Sequence, residues 1–458
     1  MATITRTLED LARNAELFAQ LKREQGAAGV DEALARAAEL LEQSVDSIRN
    51  LPDDPDLRER EPDALPVIRA LRPDGPRRLT EHVDPERYRD RLEGAFLGRS
   101  AGCILGSPVE GWSPDRMEAW ARETGDEFPP VRYWSSVPDP STLRYKTIRR
   151  DAYTAAKMDG IPVDDDLVYT LLGLLILEDS GPDFTVDDVA RAWLRYLPFA
   201  CTAEDIALAN LERGVPASEA AASGGQLPPA RACHLSEELP PELDRPLDNP
   251  YCQWIGADIR SDPWGYVAPG RPERAAELAY HDACVSHRRN GIYGAMYFSA
   301  AISTAFVVDD PVEALRIALT EIPAECSLAR ALRWAFDVAP EIRTWRDAHA
   351  AVTERFPGMH PVHTINNACL TLWGITIGGT DLTRVISETV AMGYDNDCTA
   401  ATAGSIVGAV VGKGGVDPRW TTPFGDTIHS YLKGIERLSI ADVLSRFETQ
   451  MRRVVSRS

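Results

Sequence analysis

Residues 395–412 read Asp395-Asn396-Asp397-Cys398-Thr399-Ala400-Ala401-Thr402-Ala403-Gly404-Ser405-Ile406-Val407-Gly408-Ala409-Val410-Val411-Gly412. Two carboxylates open a run that holds no further charge. A helix built from such a run is apolar nearly all round and belongs in a core. Glycine recurs at 404, 408 and 412, so one face has almost no side chain and a neighbouring helix can approach closely. The arrangement occurs once more. Asp164-Asp165-Asp166 is followed at once by Leu167-Val168-Tyr169-Thr170-Leu171-Leu172-Gly173-Leu174-Leu175-Ile176-Leu177. Two core helices with acidic tips predict a helical fold in which two distant runs of carboxylates serve one purpose.

A single aspartate at a helix start is explained by capping, because it meets orphan N–H groups and the positive end of the helix dipole. Three adjacent carboxylates exceed that need. One cap takes one acceptor, and like charges at the mouth of a core helix repel unless a cation neutralises them. Oxygen ligands without a nearby histidine pair point to Mg²⁺, or to Mn²⁺ or Ca²⁺, rather than zinc. Two converging clusters of this kind make a two-metal site.

Outward from these helices the pattern stays helical from Tyr88 to Arg453, and strand-type alternation is scarce. Residues 427–433 are included among the expected helices. The apolar stretch from Gly291 to Val308 is rich in Ala, Ser, Gly and Thr, and it reads as a buried helix rather than a membrane span. Residues 1–50 form two amphipathic helices broken at Gly26-Ala27-Ala28-Gly29, and 52–80 is a Pro-rich arm. The expected division is therefore an N-terminal helical extension and arm over 1–80 and a catalytic domain over 81–458. The long Pro- and Gly-interrupted segment 216–250 is expected to be a lid or binding edge. A net charge of −21 repels phosphate backbones and excludes a nucleic-acid partner. Eight cysteines without C-x-x-C spacing and an N-terminus without a signal sequence imply reduced thiols, a cytoplasmic location and no membrane association.

Further motifs join the acidic tips in a fixed order. Gly94, Gly98, Gly102 and Gly106 lead into Ser107-Pro108-Val109-Glu110-Gly111, and Gly256-Ala257-Asp258-Ile259-Arg260-Ser261-Asp262-Pro263 follows later. His287 precedes Gly291-Ile292-Tyr293-Gly294-Ala295. With Asp164-Asp165-Asp166-Leu167 and Asp395-Asn396-Asp397-Cys398, these segments resemble the ADP-ribosylglycohydrolase family over about residues 88–450. Both central carboxylates of the family's T-D-D-T motif are kept, while Asp164 and Leu167 replace its threonines. Both aspartates of D-x-D-T are kept, and Cys398 replaces the threonine. These departures mark a divergent branch.

The resemblance implies a compact, all-α, multi-helix orthogonal bundle with an N-terminal helical extension. It implies two Mg²⁺ ions on Asp165, Asp166, Asp395 and Asp397, with Asp164 as a fifth ligand. Cys398 takes the last metal position of the motif, although a thiol suits softer ions. Glu110, or the metal-facing Asp166, would handle the proton. Gly256, Arg260, Asp262, His287, Gly291, Tyr293 and His363 would shape the substrate pocket. The expected reaction is hydrolysis of a glycosidic bond at ribose C1 of an ADP-ribosylated or related small substrate. Two rivals stay open: an N-glycosidase of a small nucleoside or nucleotide, and a non-catalytic ADP-ribose-binding homologue. An all-α terpene synthase is disfavoured, because Tyr169 breaks D-D-x-x-D, and Ala400 and Gly404 break its second metal motif.

Overall fold

A computed structural model describes residues 7–221 and 246–457. Among them are twenty α-helices and two two-stranded sheets, so the fold is all-α. The chain divides after Arg58 into two compact units. The first is a helical hairpin of α1 (Leu8–Glu24) and α2 (Val30–Arg49), in which Thr7 and Asp10 form a capping box. The second begins at Glu59 and holds everything discussed below. Its first segment is anchored by buried Glu61, which accepts from Asn290 Nδ2 at 2.9 Å and from the Ser327 amide at 2.8 Å. Most of the expected lid, 222–245, lies outside the described residues.

Two helices form the spine: α3 (Pro85–Gly106) and α8 (Asn396–Val411). They run antiparallel, and their small faces meet. A Cβ on Gly94 would overlap Gly408, one on Gly98 would overlap Gly404, one on Gly102 would overlap Ala400, and one on Gly106 would overlap Asp397. The last pairing matters most for the site. It brings the end of α3, and with it Glu110, against the acidic tip of α8. Substituting Gly98 with Val is expected to cost about 3 kcal/mol, because the extra atoms meet backbone rather than a side chain that can rotate away. Urea unfolding measures this, and an unchanged midpoint would mean that the close approach is dispensable.

Around the spine lie α4 (Asp165–Ser180), α5 (Asn290–Ala305), α6 (Thr364–Gly378) and α7 (Leu382–Ala391). Every residue of α5 is buried, as its apolar sequence requires, and no described helix is long and apolar enough to cross a membrane. The seven cysteines among the described residues are all free.

Two short hairpins interrupt the helices. β1 (Leu143–Arg144) pairs antiparallel with β2 (Ile148–Arg149), Arg144 opposite Ile148. β3 (Ile428–Leu432) pairs with β4 (Ile435–Leu438). The second hairpin corrects the helix expected over 427–433. Ile428 and Tyr431 are buried in extended backbone, and Gly434, at φ 74°, closes a turn that a helix would not permit. A helix not foreseen runs over Pro114–Thr124, capped by Ser113 and ended by Gly125 in the left-handed conformation.

Candidate active site

The acidic tips of α4 and α8 meet. Asp166 Oδ2 accepts from Cys398 Sγ at 3.3 Å, although the two residues come from different motifs. Asp164 caps α4, its Oδ1 accepting from the Asp166 amide at 3.2 Å. Its Oδ2 accepts from Ser107 Oγ at 2.7 Å. Asp395 stands at the cap position of α8 but makes no capping bond. Its Oδ1 is buried with no protein partner, while its amide donates to Asn367 Oδ1 at 3.3 Å. Capping therefore accounts for Asp164 and leaves Asp395 unexplained.

Electrostatics give the same result. Burial, the largest cause, raises the Asp164 carboxyl to about 6 against the pull of Arg144. Burial and then the charge of Glu110 raise Asp395 to about 7. Asp166 and Asp397 are raised as well, again chiefly by burial. Carboxylates buried this close repel one another, and the neighbouring arginines pull against that rise without cancelling it.

Two arginines supply part of that charge, and the sequence reading named neither. Arg99, fully buried on α3, lies 2.6 Å from Asp262 Oδ2 and 3.4 Å from Asp166 Oδ1. Arg144, on β1, donates to Glu110 Oε2 at 3.0 Å and to Asp164 Oδ2 and Asp397 Oδ2 at 3.2 Å each. Its neighbour Tyr145 donates to Asp165 Oδ1 at 2.6 Å. Tyr145, Phe199 and Tyr431 pack as an aromatic cluster beside Asp165. Glu110 follows the 3₁₀ turn Ser107–Val109, and its side chain is 44% exposed, within reach of a substrate.

A family model for ADP-ribosylglycohydrolase matches residues 84–452. The chain belongs to the ADP-ribosylglycohydrolase family. It is thus a hydrolytic enzyme of glycosidase type, from a metal-dependent family that acts on ADP-ribosylated substrates. A solved structure described as an "ADP-ribosylglycohydrolase-related protein complex" shares the fold at a TM-score of 0.50 and 19% identity, covering 81% of this chain and 99% of that one. No curated protein matches the chain at a significant level.

The donor set of this ADP-ribosylglycohydrolase fits a hard divalent cation. The carboxylates of Asp164 and Asp166, and those of Asp395 and Asp397, lie close enough in each pair to hold an ion, and Asp395 Oδ1 has no protein partner. Cys398 is buried, and burial raises its thiol well above the usual range, so its sulfur stays protonated as a donor to Asp166.

The residues expected to bind substrate are placed differently from one another. Arg260 is buried in an ion network, with Nε 2.6 Å from Asp282 Oδ2, Nη2 3.0 Å from Ser286 Oγ, and Nη1 on Glu204. Gly256 leaves room for the Glu204 carboxylate. Asp262 is turned to Arg99, Tyr266 and Ser405, inside the core. His287 is buried, with Nδ1 2.8 Å from Ser286 Oγ, and burial lowers its pKa so that the ring is neutral. Gly291 packs on His287 and the Cys252 carbonyl. Tyr293 donates to the Pro62 carbonyl at 2.6 Å. His363 caps α6, its Nδ1 accepting from the Ile365 amide at 3.1 Å, and burial lowers it to about 4. In each case the named contacts lie within the fold. None of these side chains makes a direct hydrogen bond to Asp164, Asp165, Asp395 or Asp397 in the described contacts.

Asp258 was also passed over. It is buried with both carboxylate oxygens lacking a protein partner, and it fills the space left by Gly294 of α5. Only its place in the fold reveals it, because nothing in the segment Gly256–Pro263 distinguishes it from a surface aspartate.

The Arg260 network makes stability depend on pH. One guanidinium serves two buried carboxylates, and burial raises Glu204 from an ordinary value of 4.5 to about 7. The folded chain therefore holds a proton that the unfolded chain has already lost over that interval. The contribution is fully present below about pH 4.5 and is lost as pH rises through about 7. Glu204→Gln is expected to flatten the fall in stability across this window, measured by urea unfolding at a series of pH values. A slope identical to that of the native chain would exclude Glu204 as its source.

Proposed function

We propose that this chain is a Mg²⁺-dependent glycohydrolase that cleaves the bond at ribose C1 of an ADP-ribosylated substrate. The observation that carries the reading is the meeting of two distant acidic helix tips around a buried, unpartnered carboxylate oxygen of Asp395. Ligand atoms of Asp395 and Asp397 lie close enough to share one ion, as do those of Asp164 and Asp166, with Asp165 and Glu110 beside them. Bound Mg²⁺ would supply orientation of the ribose hydroxyls and polarisation of the attacking water.

The chain's own groups do the rest. Glu110 is exposed at the rim and can take the proton from water as its oxygen bonds to C1; the bond from C1 to the leaving group breaks with its electrons going to that group, to which Glu110 then passes the proton. Asp166 is fully buried between Arg99 and Cys398, which suits holding a cation better than shuttling protons. Of the aromatic cluster beside Asp165, Tyr145 and Tyr431 are buried and Phe199 is partly exposed, so Phe199 is the ring on which a planar base can stack.

The test is a substrate panel run with and without Mg²⁺: ADP-ribosyl-arginine peptide, ADP-ribosyl-serine peptide and simple ribosides. Release of ADP-ribose that stops on chelation is the expected result. Turnover of simple ribosides alone would make the chain a nucleosidase. ADP-ribose binding by calorimetry with no turnover on any arm would make it a binding homologue.

A further inference from the structure

The carboxylates on the Glu110 side of the centre already share a cation. One nitrogen of Arg144, Nη2, lies 3.0 Å from Glu110 Oε2, 3.2 Å from Asp164 Oδ2 and 3.2 Å from Asp397 Oδ2. The three acids come from three separate segments: the turn after α3, the cap of α4 and the first turn of α8. Their oxygens converge on a point as ligands converge on a bridging ion, and the point is filled by a guanidinium nitrogen.

That nitrogen is held in place. Nη1 donates to the Ser107 carbonyl at 2.9 Å, and the side chain is only 14% exposed. The guanidinium carbon lies 4.9 Å from the Tyr145 ring centre and 5.9 Å from that of Tyr153. Tyr145 and Lys146 adopt φ of 52° and 55° in the turn between β1 and β2. Non-glycine residues in that region are strained, by about 1 kcal/mol or more each. The strain persists because the tight turn delivers Arg144 and Tyr145 together to the carboxylates, where Tyr145 meets Asp165.

The opposite side is served differently. Asp395 Oδ1 has no protein partner, and Asp166 Oδ2 meets only the Cys398 thiol. The two flanking positions at which a threonine would add a hydroxyl ligand are Leu167 and Cys398, and neither side chain offers a hard oxygen. One protein cation thus serves three carboxylates on the Glu110 side, whereas on the other side Arg99 reaches Asp166 Oδ1 at 3.4 Å, Tyr145 reaches Asp165, and Asp395 Oδ1 alone is left without a protein partner.

We infer that Arg144 is a built-in cation that takes one of the two cation positions, so that the centre binds a single divalent ion, on the side of the unpartnered Asp395 oxygen. This rests on the reading of the acidic centre as a metal site. A guanidinium nitrogen and a metal ion cannot occupy the same point among three oxygens. Unlike an ion, the arginine is not lost to chelators, and its planar fork fixes the directions in which the carboxylates face.

Mn²⁺ is the probe, titrated into the full chain as wild type, Arg144→Gln and Arg144→Lys, with stoichiometry from calorimetry and coupling from electron paramagnetic resonance. The expected result is one Mn²⁺ per wild-type chain with the spectrum of an isolated ion. Arg144→Gln should take two, with the broadening of two ions held close together, and Arg144→Lys should stay at one because the charge is kept. Two Mn²⁺ in the wild type would overturn the inference and leave the metal reading intact. One Mn²⁺ in a folded Arg144→Gln would also overturn it, because the arginine would not be what excludes the second ion. Should that variant fail to fold, wild-type stoichiometry alone still decides. No Mn²⁺ on any form would end the metal reading itself.

Discussion

Asp395→Asn is expected to lower kcat/KM by about a thousandfold, or about 4 kcal/mol of transition-state stabilisation, and to weaken Mg²⁺ binding in parallel. The substitution removes an anionic ligand while changing almost nothing else. The side chain makes no capping bond, its Oδ1 has no protein partner, and the amide that donates to Asn367 belongs to the backbone. Burial and the charge of Glu110 push this carboxyl up to about 7, so the metal-free fold is strained by the charge it carries. Stability in the presence of chelator should therefore hold or rise while activity falls, as is usual where function is maintained against stability. Thermal unfolding with and without Mg²⁺, beside steady-state kinetics, separates the two effects. Asp310→Asn is the control: Asp310 caps an exposed helix start and should leave both readouts alone. Activity of Asp395→Asn within twofold of wild type would remove Asp395 from the ligand set.

The parts of this site that sequence revealed are those carried by local pattern. The acidic tips were visible because three carboxylates at the mouth of an apolar helix exceed what capping needs. One half of the spine was visible because glycine at every fourth position over Gly404–Gly412 marks a close-packed face; the same spacing over Gly94–Gly106 reads only as part of a motif, and the structure shows it to be the partner face. Arg99 had a readable signal, as the single charged residue between Gly94 and Gly106. Arg144 had none. It lies in a basic stretch with Lys146, Arg149 and Arg150, and only the register of a two-residue strand selects which of them points inward. Arg260 was readable as a charged residue in the segment Gly256–Pro263, but its partners Glu204 and Asp282 are distant in sequence, so an internal ion network and a substrate contact look alike. The helix Pro114–Thr124 escaped because charged residues break up its few apolar positions, although Ser113, Pro114 and Gly125 mark both ends. The strand Ile428–Leu432 escaped because five residues are too few for periodicity to distinguish helix from strand.

Arg99→Met is expected to destabilise the fold by about 4 kcal/mol, the largest stability effect of any single change considered. The guanidinium is fully buried and ties three segments to α3. Nε donates to Thr170 Oγ1 at 2.9 Å, and Nη2 donates to the carbonyls of Asp166 and Ile259 at 2.7 Å each. Nη1 lies 2.6 Å from Asp262 Oδ2. Burial works against this charge, but Asp262 and Asp166 outweigh it and raise the arginine's pKa. Methionine fills most of the volume, so the cost comes from the partners it abandons: two buried carboxylates without a counter-charge and two carbonyls without a donor. Lysine keeps the charge but cannot reach all of these acceptors from one nitrogen, and it should recover only part of the loss. The pairing itself is isolated by a double-mutant cycle with Asp262→Asn. Once Asp262 is neutral, Arg99→Met leaves one fewer orphaned charge, so the double variant should be more stable than the sum of the single losses predicts by about 1 kcal/mol or more. Strict additivity would mean that the arginine acts through its carbonyl contacts alone, and that the charge of Asp262 is neutralised from elsewhere in the core.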